Sequence, residues 1–193
     1  MLVAFAVGIG LSAACGFRVF VPLLGIGLAA RFGGLAIAGG FEWMASDAAL
    51  LAFGVATILE VLAYYIPWMD NLLDTLATPA AVIAGIVSSA AVFVDLPPLL
   101  RWSAAIIGGG TAAGLVQGAT VLLRAKSSLL TGGLGNPLIA TAEAVGAVVM
   151  SILAILVPVV CVGVLVLAGA ALARFLRRPG TSRDRGGPAP TPT

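Results

Sequence analysis

The chain has 193 residues, of which 61% are hydrophobic and 9% charged, with a mean hydropathy of +1.15. Ten basic and eight acidic residues leave a formal charge of +2, and there is no histidine. This composition excludes a soluble domain, which needs a polar shell that the chain lacks. It also excludes a nucleic-acid partner, because the basic excess gathers at Arg174, Arg177, Arg178, Arg183 and Arg185 beside the last apolar run.

The apolar residues fall in blocks long enough to cross a bilayer, which predicts an all-α, polytopic integral membrane protein of about six transmembrane helices. The first block runs from Leu2 to Ala30, interrupted by Arg18 and Pro22. Its segment Leu11-Ser12-Ala13-Ala14-Cys15 is similar to a lipoprotein cleavage site, but no basic segment precedes it, so it is read as membrane helix. The second block spans Ala48 to Ile66, ending at Pro67-Trp68, and a polar linker follows with Asp70, Asn71, Asp74, Thr75 and Thr78. Pro79, with Thr78 as cap, is the expected start of the third span, which closes at Asp95-Leu96-Pro97-Pro98. The fourth span runs from Arg101-Trp102 to Leu123. A turn at Thr131–Pro137 then leads into a run too long for one crossing, which Pro158 divides into Leu138–Val157 and Val159–Phe175. Residues 1–178 form the transmembrane domain and 179–193 a disordered cytoplasmic tail.

Counting basic flanks puts Arg124, Lys126, Arg174, Arg177 and Arg178 in the cytoplasm together with both termini, leaving Arg31 and Arg101 outside. Ala56-Thr57-Ile58-Leu59-Glu60 and Ala140-Thr141-Ala142-Glu143 are alike, which raises a possible 3+3 inverted repeat.

A charge inside a span costs about 2.5–3.5 kcal/mol on insertion scales, so it must be offset by pairing, water or function. Arg18, Glu60 and Glu143 are the sharpest candidates, either as a structural ion pair with Arg18 bridging the carboxylates or as groups on an ion or substrate path. Asp70 and Asp74 are spaced i, i+4 beside Asn71, a pattern able to gather a hard cation or to form a solvated turn. Asn136, at the start of the fifth span, is a candidate for facing an anion or simply part of a loop. Gly8, Ser12 and Gly16, and Gly110, Gly114 and Gly118, form small-residue stripes suited to helix packing. Gln117 lies beside the second stripe as a hydrogen-bonding candidate. Cys15 and Cys161 are read as buried small hydrophobes, with no metal and no cofactor implied. No catalytic constellation emerges, which argues against an enzyme.

Three blocks carry a resemblance: Gly16-Phe17-Arg18-Val19-Phe20-Val21-Pro22, Leu59 through Asp74 with Thr78-Pro79, and Thr131-Gly132-Gly133-Leu134-Gly135-Asn136-Pro137. Together they resemble a bacterial family of small polytopic membrane proteins catalogued only as a domain of unknown function. The resemblance covers roughly Gly8 to Pro158 and supplies no substrate. It implies that Arg18, Glu60, Asp70, Asp74, Asn136 and Glu143 belong to the family's signature. The expected protein is a small transporter or channel for an ion or small solute in a bacterial cytoplasmic membrane, with the lipid bilayer and a possible homo-oligomer as partners. A non-transporting scaffold is the alternative.

Overall fold

The computed structural model describes residues 1–177, with the side chains of 67–74, 172, 173 and 175–177 outside the description. The expected tail at 179–193 therefore lies outside the described residues. Those described form an all-α bundle.

The first apolar block is two helices, α1 (Leu2–Cys15) and α2 (Phe20–Phe32), separated at Gly16–Val19. Helix α1 ends in tight turns, with Gly16 and Arg18 donating to the carbonyls of Ala13 and Ala14. The chain then reverses. Phe5 stacks on Phe93 at a centroid distance of 4.6 Å, while Ala38, beyond α2, donates to the Ala91 carbonyl at 2.7 Å. The start of α1 and the chain after α2 thus meet the same end of α4 (Pro67–Val92). The block is a helical hairpin with Arg18 at its apex, a correction to the single interrupted span. At 14 and 13 residues, its arms are each about 20 Å long.

A short 3-10 turn at Glu42–Ala45 leads into α3 (Asp47–Ala63), whose cap Ser46 accepts from the Ala49 amide at 3.2 Å. Pro67 opens α4, so residues 70–74 are helical and Pro79 lies inside the helix rather than starting it. Helices α5 (Pro98–Ala104) and α6 (Thr111–Thr131) are joined by a π-helical turn, Ala105–Gly110, into one 34-residue rod. The rod passes Leu123, where the fourth span was expected to stop, and ends at Gly132 and Gly133, whose φ values of 63° and 89° favour glycine. Then come α7 (Asn136–Leu156), with Pro137 in its first turn, and α8 (Pro158–Arg177).

Helix α8 folds back on α7. A Cβ at Gly10 would lie 2.6 Å from Cys161 Sγ and 2.7 Å from Ala154 Cβ, so residues on either side of Val157 converge on α1. With α8 running away from the end where α1 starts, the described chain begins and ends at opposite ends of the bundle. The two halves differ in that the first block turns back whereas α5 and α6 run through.

Among the described residues three segments are long and apolar enough to cross a membrane: Thr75–Val92, Pro98–Thr131 and Asn136–Leu156. Leu2–Cys15, Phe20–Phe32 and Pro158–Ala171 are shorter apolar helices. The outer surface carries exposed Leu51, Ile58, Ile83, Leu115 and Leu138, as suits a multi-pass membrane protein with lipid as its solvent.

Close backbone approach holds the centre. Ser12 Oγ donates to the Gly85 carbonyl at 2.6 Å and lies 2.7 Å from Ser89 Oγ, which donates to the Gly8 carbonyl at 3.1 Å. A Cβ at Gly16 would lie 2.6 Å from the Ala113 carbonyl oxygen, and one at Gly110 would lie 3.2 Å from Ile86. At Gly114 the nearest atom is Val82 Cγ2 at 3.5 Å, and at Gly118 nothing lies within 4 Å. Gly118→Ala is therefore expected to leave the melting temperature of the solubilised protein unchanged or slightly raised, since alanine favours a helix interior by about 1 kcal/mol. A large drop would place Gly118 in an interface outside this bundle.

Candidate functional site

The hairpin apex, the C-terminal part of α3, the last third of α6 and the first turns of α7 meet around four charged side chains. Arg124 lies seven residues before Thr131, where α6 ends, and Glu143 seven after Asn136, where α7 begins. The intervening turn therefore sets them at one level. Arg124 Nε donates to Glu143 Oε1 at 3.0 Å and Arg124 Nη2 donates to Oε2, a bidentate pair. Arg18 Nη2 comes within 3.5 Å of Glu143 Oε2 and donates to the Ala140 carbonyl at 2.8 Å.

Both guanidiniums lie on Tyr64, with Cζ atoms 3.9 Å (Arg18) and 4.0 Å (Arg124) from the ring centroid. The ring's negative faces attract the cations most strongly when desolvated, and all three residues are buried. The tyrosine is in effect a spacer between like charges, and Glu143 is the carboxylate they share. Next to it, Tyr65 Oη and Thr141 Oγ1 are hydrogen-bonded at 2.8 Å, tying the turn after α3 to α7.

Glu60 has another role. Its Oε1 accepts from the Val19 amide at 2.8 Å and its Oε2 from the Phe20 amide at 3.2 Å. These are orphan donors at the start of α2, which lacks a capping side chain of its own. A carboxylate from α3 thus caps α2, and the positive end of the α2 dipole favours it there. The expected bridge from Arg18 reaches Glu143, while Glu60 is held by backbone.

Arg18 itself is only 1% exposed, yet its Nε and Nη1 have no hydrogen-bond partner among the described residues. Buried donors left unmatched cost about 1–3 kcal/mol each, more on a charged group. They are the site's open valence.

Arg18, Glu60 and Glu143 are thus brought into one cluster. Asn136 stands apart at the start of α7, where its Nδ2 donates to Ser128 Oγ at 3.1 Å. The side chains of Asp70, Asn71 and Asp74 lie outside the described residues. Among the described residues no group of three His, Cys, Asp or Glu could hold a metal ion. Gln117 and Thr120 of α6 are buried, with Thr120 Oγ1 donating to the Gln117 carbonyl at 2.9 Å.

Two members of the cluster, Arg124 and Tyr64, are absent from the sequence-based candidates. Arg124, which reads in the sequence as a flanking charge, is buried in the bundle at 3% exposure. The spacing of Arg124 and Glu143 about the glycine turn is the signal that identifies the pair. Tyr64 carries none.

Beside the apex lies a cleft of about 390 Å³ between α2, α3 and α4, lined by Phe20, Leu59, Glu60, Tyr64, Leu76 and Ala80 among others. The family model described as "Domain of unknown function (DUF4126)" matches residues 5–178, nearly the whole chain. No curated protein and no solved structure matches it.

Proposed function

The chain belongs to the DUF4126 family, and from the residues of its charge cluster we propose that it passes a small ion or solute through the bundle at the Arg18, Tyr64, Arg124 and Glu143 cluster. The carrying observation is the pair of buried, unmatched donors on Arg18. A fully paired guanidinium locks helices together, whereas one with open donors recruits a ligand or water. The hairpin supports the same reading. Irregular backbone at membrane depth is tolerated where protein buries it or a cavity receives it, and broken helices meeting charges are the physical pattern of transport sites.

In this reading α1 and α2 enter and leave the membrane on one face, delivering Arg18 from that side. The end of α8 with Arg174 and Arg177 faces the cytoplasm of a bacterium by the positive-inside rule, and Met1 faces the opposite side. Self-association through the exposed apolar surface belongs to the same proposal.

The scaffold reading has its own observation, the close mesh of Ser12, Gly85, Ser89 and Gly109, which is a device for rigidity. Flux separates the two. Purified protein in proteoliposomes under imposed gradients of halide, nitrate, potassium and protons is expected to pass at least one species faster than empty liposomes. Arg18→Gln should reduce that passage about tenfold or more, while Gly118→Ala leaves it intact. Folded protein that passes nothing favours the scaffold.

A further inference from the structure

The cleft between α2, α3 and α4 opens beside the path just proposed and shares Tyr64 with it. Leu59 and Leu76, at 61% and 60% exposed, stand at its rim, so in a membrane it opens sideways onto hydrocarbon. Its lining is apolar except toward Tyr64 and Glu60, and among the described residues Glu60 is its only carboxylate. At about 390 Å³ the cleft falls within the roughly 300–1,000 Å³ of small-molecule sites. An aliphatic wall with one buried polar focus is the usual anatomy of a site that binds an apolar body and orients it by one head.

A carboxylate has about four lone-pair positions, and the amides of Val19 and Phe20 occupy two of those on Glu60. The Glu60 end of the cleft thus holds a carboxylate with unused acceptor capacity on the helix that forms its wall.

We propose that this cleft binds a single-chain amphiphile with a primary ammonium head, entering from the bilayer. The chain lies along Phe20, Leu59, Leu76 and Ala80, and the head pairs with Glu60. An ammonium supplies donors and a counter-charge to a carboxylate with acceptor positions left over, whereas a carboxylate head meets like charge and a hydroxyl head gains no ion pair. Occupancy braces the α2 cap from outside the bundle, because the ligand and the two amides share one carboxylate.

The test uses the full chain in phosphatidylcholine nanodiscs, without a gradient, so its result is independent of any flux. Dodecylamine carrying a photoactivatable diazirine near its methyl end is crosslinked, and the labelled residues are mapped by mass spectrometry. Labelling is expected on the cleft residues of α2, α3 and α4, competed by unlabelled dodecylamine about tenfold more effectively than by dodecanol or dodecanoate, the order expected of one charged hydrogen-bonded pair. Glu60→Gln should remove the preference for the amine. Ala80→Leu, which narrows the cleft and keeps the carboxylate, should lower labelling overall and serves as the test if Glu60→Gln does not fold. Equal competition by the three amphiphiles, or labelling elsewhere on the surface, overturns the proposal and leaves an ordinary lipid-filled groove.

Discussion

Glu143→Gln is expected to lower the unfolding free energy by about 3–5 kcal/mol, the cost of breaking a buried ion pair by removing one partner. The substitution preserves shape but replaces one accepting oxygen with an amide donor that faces a guanidinium, so the loss reports the charge and half of the bidentate pair together. Glu143 takes two hydrogen bonds from Arg124 and lies 3.5 Å from Arg18, and the three side chains are at most 5% exposed. With an amide there, two guanidiniums stacked on Tyr64 lose the carboxylate they share in a low-dielectric setting. Unfolding in mixed detergent micelles measures the change. The double variant Arg124→Gln/Glu143→Gln should recover part of the loss, as coupling within one network requires. A change below about 1 kcal/mol would mean that the pair behaves like an exposed one.

The second large effect comes from a residue with no side chain. Gly16→Ala is expected to cost about 1–3 kcal/mol, and Gly16→Val more, because helix packing here leaves no room for a methyl group. A Cβ at Gly16 would sit 2.6 Å from the Ala113 carbonyl oxygen and 2.9 Å from the Gln117 amide nitrogen, both backbone atoms of α6. Rotamer changes cannot relieve that contact, so α1 and α6 must separate. Arg18 is two residues further on, and the displacement is expected to carry it away from Glu143 and Tyr64. Gly8→Ala makes a useful comparison. Its Cβ would meet chiefly the ring of Phe93, a side chain able to shift, and a smaller cost follows. Thermal unfolding of the variants ranks them, and equal melting temperatures for Gly16→Ala and wild type would contradict the close approach of α1 to α6.

The helical character and membrane setting are plain in the sequence because lipid leaves little choice of backbone. Arg18, Glu60 and Glu143 stand out for the same reason, as charges inside apolar runs. Chain direction is harder to read. Pro22 attracts attention as the break in the first block, but as the third residue of α2 its missing amide costs nothing there. The reversal happens at Gly16–Val19, fixed by Glu60 from a helix 40 residues away, a tertiary cap with no local signature. Pro79 reads as a helix start, yet α4 begins twelve residues earlier at Pro67 and runs through it. Arg124 reads as a flank because apolar character fades after Leu123, whereas α6 continues to Thr131 with the guanidinium turned inward.

Access to the hairpin apex tests the central claim most directly. Phe17→Cys, next to Arg18, is placed in a chain with Cys15→Ala and Cys161→Ala, reconstituted in liposomes and exposed on either face to a membrane-impermeant, negatively charged thiosulfonate. The account predicts modification from at least one face, slowed by the ion or solute that the protein passes, because the path to Arg18 is aqueous and binds that species. If Leu134→Cys in the exposed α6–α7 turn reacts normally while Phe17→Cys is inert from both faces, no path reaches the cluster, and its charges only hold the helices together.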